Sequence, residues 1–345
     1  MTIQKRRLRL GIVGAGLVAR QAHLPAALSS ERIELTALVD PAPGRAAALA
    51  RDFGIKALTA TSLAEVLPSI EAAVIATPND SHCQLGLQCI RAGVALLIEK
   101  PLCTTLADAE LLVAAAEAAR VVLAVGYSTR FRDNVVFLKE LLDAHEFGPV
   151  RRFVHQFGSA GGWAPLSAYN LQRNATGGGV LVVTGTHFLD RMLYFWGYPD
   201  SFSLTDDGTA GPEANAVATF GYDRADAQIA GLARYSKAAA LPSGLVIEAE
   251  RGIVKLADTD DAQVLFLPRG SPQLSLNICR RGPPRFDPRV APFQHQLEDF
   301  VDAVQSARPP TVDGKQALAS VRLLAGLYAA RRIETRHWYS QAALA

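Results

Sequence analysis

Leu8-Arg9-Leu10-Gly11-Ile12-Val13-Gly14-Ala15-Gly16-Leu17-Val18-Ala19-Arg20 decides the fold. Leu8, Leu10, Ile12 and Val13 form a short apolar run suited to a buried parallel strand. A tight glycine turn follows at once, and Leu17 to Leu28 reads as a helix. The pattern is G-x-G-x-x-A. Gly14 permits the turn, Gly16 lets the main chain approach a pyrophosphate, and Ala19 keeps helix and strand close. The unpaired N–H groups and positive end of such a helix suit phosphates. Leu17 and Val18 belong to the same expected cofactor surface.

Working outward, a second apolar strand, Leu35 to Val39, ends in Asp40. A carboxylate there suits the ribose hydroxyls of NAD and repels a 2′-phosphate. Arg45 lies close enough in sequence to neutralise such a phosphate, which leaves NADP open. Strands then alternate with helices. Ala72 to Thr77 runs into Pro78-Asn79-Asp80 and a helix from Ser81 to Ala92; Val94 to Ile98 runs into Glu99-Lys100-Pro101. A helix over Ala109 to Arg120, capped from Thr105, leads to a strand over Val121 to Val125. This alternation predicts a parallel, doubly wound sheet to about residue 127. Ligands of such sheets gather at the carboxyl ends of strands, where Thr77, Asn79, Glu99 and Lys100 fall.

Beyond Tyr127 the pattern changes to strands joined by short loops, which predicts a second domain with a mixed or antiparallel sheet. The expected domains are 1–127 and 128–345, an α/β Rossmann domain and an α+β domain. Pro268 to Pro288 reads as a surface loop, and the amphipathic helices over Phe293 to Ser306 and Lys315 to Arg331 are expected to close the second domain.

Composition narrows the classes. Of 345 residues, 49% are hydrophobic and 20% charged, a globular balance, and a net charge of +2 gives no reason to expect nucleic acid. The start of the chain shows no signal-peptide core, and no apolar run approaches a membrane span. The four cysteines show no metal-ligand spacing, so no metal site is expected. The expectation is a soluble, cytoplasmic protein.

Three further segments carry chemistry-bearing residues: Glu99-Lys100-Pro101, Gly126-Tyr127-Ser128-Thr129-Arg130, and Gly177-Gly178-Gly179-Val180-Leu181 running on to Gly185-Thr186-His187-Phe188-Leu189-Asp190. In this order, with the fingerprint, Thr77-Pro78-Asn79, His82 and Asp313-Gly314, the chain resembles the Gfo/Idh/MocA family of nicotinamide-dependent oxidoreductases over nearly its whole length.

That resemblance implies a large open sheet buried in a homodimer or homotetramer, and hydride exchange with a carbinol carbon of a sugar, cyclitol or related polyol. It also implies that Lys100 touches the reacting oxygen, that His187 is the acid/base, and that the Lys100–Pro101 bond is cis. His82 and Glu99 join the cofactor residues; Arg130, Trp163, Tyr169, Arg173 and Thr184 join His187 on the substrate side. One position departs. The Asp that the family carries four residues before its histidine is Val183 here. Three readings follow: Lys100 and His187 suffice for a substrate without the matching hydroxyl, Lys100 is the main proton donor or acceptor, or the protein binds NAD without ordinary turnover. A non-catalytic NAD-binding regulator and a redox-assisted glycosidase are the alternative functions.

Overall fold

A computed structural model describes residues 6–162, 168–209, 211–225, 227–258, 263–271, 273–279 and 290–334. The chain divides into two compact units, Met1–Arg132 with Gly282–Val321, and Asp133–Arg281 with Arg322–Ala345.

In the first unit β1 (Leu8–Val13), β2 (Ile33–Val39), β3 (Leu58–Ala60), β4 (Ala72–Ile75), β5 (Ala95–Ile98) and β6 (Leu123–Val125) form one parallel sheet. Their order is β3-β2-β1-β4-β5-β6. Every residue of β4 and β5 is buried, as expected for strands covered on both faces. The order reverses between β1 and β4, which marks the crevice where such sheets bind ligands. The Leu106–Ala119 helix follows from its Ala/Leu content. Thr105 Oγ1 accepts the Asp108 N–H at 3.1 Å at its start, and Arg120 ends it at φ +55°.

The Ala291–Ser306 helix does not close the second unit, contrary to expectation. Its buried Leu297, Phe300 and Val301 pack with Leu10, Ile12 and Leu24 of the first, and Glu298 pairs with Arg32 at 2.9 Å. The following helix, Gly314–Ala329, places Ala317 and Val321 in the first core and Leu323, Leu324 and Leu327 in the second. Asp313 Oδ1 accepts the Gln316 N–H at 2.8 Å, so Asp313-Gly314 is a helix start.

In the second unit β7 (Val150–Gly158), β8 (Ser201–Asp206), β9 (Asn215–Asp223), β10 (Gln228–Ser236), β11 (Leu241–Ala249), β12 (Gly252–Leu256), β13 (Val264–Pro268), β14 (Leu276–Ile278) and β15 (Arg331–Ile333) form a mixed sheet. The order is β14-β13-β12-β11-β7-β10-β9-β8-β15. The pairs β7/β10 and β8/β15 are parallel and the others antiparallel. One face packs on helices. Alternate residues of β9 to β12 lie exposed on the other, among them Val217, Val246 and Ile253. β14 falls within the stretch expected to be loop; it is a three-residue strand paired with β13, and residues 280–289 lie outside the described ones.

Candidate active site

The fingerprint turn is built by the main chain. Gly14 adopts φ +99°, and a Cβ there would land on the Ala76 carbonyl. Only glycine takes that conformation without strain. The Gly14 N–H donates to the Val39 carbonyl at 2.7 Å, tying the turn to the end of β2. Gly16 has open space where a Cβ would stand, with exposed Leu17 and half-buried Val18 beside it. This is the clearing that a pyrophosphate needs to reach backbone amides.

Asp40, at the end of β2, is nearly fully buried. Its Oδ2 accepts the Ala15 N–H at 2.9 Å, its Oδ1 accepts the Ala42 N–H at 2.9 Å, and the Arg45 guanidinium lies 3.5 Å from Oδ1. An ionised carboxylate offers about four acceptor sites. Two amides therefore leave capacity for ribose hydroxyls. A cavity of about 180 Å³ opens here, lined by Asp40, Ala42, Gly44, Ala47, Thr59 and Glu65. The residues present fit a dinucleotide, with Asp40 both organising the turn and facing the cavity.

Thr77, Asn79 and Lys100 stand half-buried after β4 and β5. Thr77 Oγ1 lies 2.6 Å from Ser81 Oγ. The Lys100–Pro101 peptide is cis. Glu99 Oε1 lies 2.7 Å from His23 Nε2, and its Oε2 accepts the Lys100 N–H at 3.2 Å. Burial works to raise this carboxyl, but the His23 hydrogen bond, with the charges of His23 and Lys100, holds it below the ordinary range. The carboxylate is thus an internal brace for the strand end that carries Lys100.

His82 departs from its expected contact with cofactor. It is 0% exposed, its ring nitrogens 3.0 Å from the Pro101 carbonyl and 3.1 Å from that of Thr77. Burial pushes its pKa down. A ring enclosed in this way ties the ends of β4 and β5 together and presents no surface to a ligand. Arg130 also departs from its expected place. It is 5% exposed and donates to Gln316 Oε1, so it braces the returning C-terminal helix rather than lining a substrate surface.

In the second unit His187 lies on the Thr186–Trp196 helix, which continues a π turn over Leu181–Gly185. The glycines before it make room for bulk. A Cβ on Gly178 would strike the Tyr328 hydroxyl, and one on Gly179 the main chain of Glu213. Glu213 is fully buried; its Oε2 accepts the Gly179 N–H at 2.9 Å, and its Oε1 accepts the Leu181 N–H at 3.1 Å and the Tyr328 hydroxyl at 2.7 Å. Burial pushes its carboxyl up against the pull of those donors. Neither Glu213 nor Tyr328 was legible as part of the site. The glycine pair signals a close approach without naming what approaches.

Val183, Thr184 and His187 are half-buried while Leu181, Val182, Gly185, Thr186 and Phe188 are buried, so the three form the accessible stripe of this segment. Asp190 is 0% exposed and does not replace the carboxylate missing at Val183. Arg173 lies over the Tyr328 ring, 5.1 Å from its centroid, and Tyr169 is half-buried. Trp163 lies outside the described residues. Among the described residues no helix is long and apolar enough to cross a membrane, and no three His, Cys, Asp or Glu side chains converge on a metal-binding position.

Residues 8–127 match the family model of the Gfo/Idh/MocA oxidoreductases, described as an oxidoreductase family with an NAD-binding Rossmann fold. The resemblance shown by that match is confined to the nucleotide-binding part, residues 8–127, and the cofactor this part takes is a nicotinamide dinucleotide. It is similar to the rhizopine catabolism protein MocA of Rhizobium meliloti, 33% identical over 59% of this chain and 62% of that protein. The 1,5-anhydro-D-fructose reductase of Ensifer adhaerens is 31% identical over 54% of this chain and 56% of its own. The chain thus spans less than two thirds of the length of these curated relatives. An oxidoreductase domain protein from Kribbella flavida shares the fold over 94% of this chain and 97% of its own, with a TM-score of 0.82 at 21% identity.

Proposed function

We propose that the protein is a dehydrogenase or ketoreductase that exchanges hydride between NAD and a carbinol or keto carbon of a sugar, cyclitol or sugar derivative. The observation that carries this reading is Lys100, partly accessible at the carboxyl end of β5, in the same sheet as a turn whose clearing and buried carboxylate fit a dinucleotide. Gly14, Gly16, Leu17, Val18, Asp40, Thr77 and Asn79 hold the cofactor; Tyr169, Arg173 and Thr184 serve the substrate.

Oxidising an alcohol needs a proton acceptor within hydrogen-bond reach of the hydroxyl. His187 takes that proton, because imidazole titrates in the working range. The Lys100 ammonium steadies the alkoxide charge as it develops, and donates to the carbonyl oxygen in the reverse direction. Bound NAD supplies the hydride acceptor. Asp40 supports NAD over NADP, since a 2′-phosphate beside its carboxylate is repelled.

The test is a panel of inositols, aldoses, glycosides and sugar nucleotides with NAD or NADP, followed by the absorbance of reduced cofactor, and the matching keto compounds in reverse. Turnover with one class establishes the reaction. Tight NAD binding without turnover across the panel favours a non-catalytic NAD-binding regulator, the second reading that Val183 motivates.

The open face of the second sheet supports a homodimer or homotetramer. Thr219, Leu232, Val154, Val246 and Lys255 make one cross-strand row there, apolar at its centre. Val246→Glu is expected to dissociate the assembly in sedimentation. A cytoplasmic location goes with this reading, and cell fractionation tests it.

A further inference from the structure

The helix carrying His187 is fixed to β7 by rings and by one buried polar cluster. Phe153 stacks on Trp196 with centroids 4.2 Å apart and planes 3° from parallel; His155 stacks on Phe188 at 4.0 Å and 5°. Gly231 on β10 leaves room for the Phe153 ring. Stacked faces resist separation but not sliding.

The cluster supplies direction. Asp258, two residues beyond β12, lies with Oδ1 2.8 Å from Arg191 Nη2 and Oδ2 3.0 Å from His155 Nε2, while His155 Nδ1 lies 3.1 Å from the Tyr235 hydroxyl. Arg191 stands one helical turn beyond His187, and Phe188 directly follows it. Burial pushes the His155 pKa down, and the Arg191 charge adds to that effect against the pull of Asp258. His155 Nε2 thus faces both Asp258 and Arg191 Nη2, the latter at 3.3 Å, while Nδ1 faces the Tyr235 hydroxyl. Burial works to raise the Asp258 carboxyl, but His155 and Arg191 hold it well below the usual carboxylate range. Among the described residues, Arg191 Nε and Nη1 are buried without a hydrogen-bond partner. A buried guanidinium satisfied at one nitrogen is poor value for stability, and apolar replacement of such a pair is often neutral or favourable.

We propose that Asp258, Arg191 and His155 are positioning residues for His187, fixing the rotation and axial setting of its helix on the sheet. This rests on the reading of His187 as the acid/base.

Asp258→Asn strands Arg191 and is expected to lower the melting temperature. The decisive variant is Arg191→Met with Asp258→Leu in the full chain, which removes both charges together. It is expected to recover most of the melting temperature and to bind NAD like the parent, yet to lose kcat by about tenfold or more. A direct readout needs no turnover: the rate at which diethyl pyrocarbonate modifies His187, followed by peptide mass spectrometry, is expected to rise about threefold or more. Should the double variant fail to fold, Tyr235→Phe removes only the hydroxyl on His155, and the same rise in labelling is expected. Labelling within about twofold of the parent in the folded variants overturns the proposal. If the parent turns over nothing, the functional reading fails, while the labelling rate still decides the positioning claim.

Discussion

In the first unit Gly14, Asp40 and Lys100 stand at the ends of parallel strands, and main-chain geometry sets two of them: a positive φ at Gly14, and amide donors that close on Asp40. In the second unit His187 stands on a helix held by side chains from distant stretches, Glu213 and Tyr328 at its start and His155 beneath it. A main-chain site tolerates change around it but not at its few special positions. A site held by side chains is adjusted from many positions, none of which touches substrate. The two units are therefore expected to answer mutation differently.

The largest effect is expected at Gly14→Val. A branched side chain at φ +99°, driven into the Ala76 carbonyl, closes the turn, and NAD affinity falls by about a hundredfold or more in titration calorimetry. Asp40→Ala comes next. It leaves the Ala15 and Ala42 amides without their acceptor, costing about 1–3 kcal/mol for each amide that water does not reach, and it weakens NAD more than NADP. Gly179→Ala separates the units. Its Cβ meets the Glu213 main chain, so stability falls by about 1–3 kcal/mol while NAD affinity is unchanged. A matching loss of NAD affinity there would break the contrast.

The smallest effect is a pH dependence. His82 and His155 are buried with pKa values below the unfolded 6.5, so between the folded and unfolded values the unfolded chain binds more protons. Their contribution is present above pH 6.5 and is lost as pH falls through the folded values. The slope is at most about 1.4 kcal/mol per pH unit for each ring. His82→Gln is expected to flatten the melting temperature between neutral and mildly acidic pH.

The same contrast governs what the sequence makes legible. β1, β2, β4, β5 and β6 announce themselves as apolar runs closed by turn residues. β3, Leu58-Thr59-Ala60, does not, because a short edge strand with two exposed residues carries no apolar period. β8, β14 and β15 escape for the same reason, being short or half polar. The Ala291–Ser306 helix is legible as amphipathic, but amphipathicity names a buried face and not its partner, so its return to the first unit is not. Gly14, Gly16 and Asp40 are legible because local spacing encodes their geometry. Glu213, Asp258 and His155 reach their partners across long stretches of chain, and nothing local marks them. His82 and Arg130 were legible as notable residues, but their burial was not.

The measurement closest to the central claim is NAD-dependent turnover of the best polyol by the parent, by Lys100→Met and by a Lys100→Met, His187→Ala double variant, with NAD affinity measured alongside. The expected result is turnover in the parent, a drop of about a hundredfold or more in kcat for Lys100→Met with NAD affinity retained, and no measurable rate in the double variant. Ordinary turnover in the double variant would contradict the account.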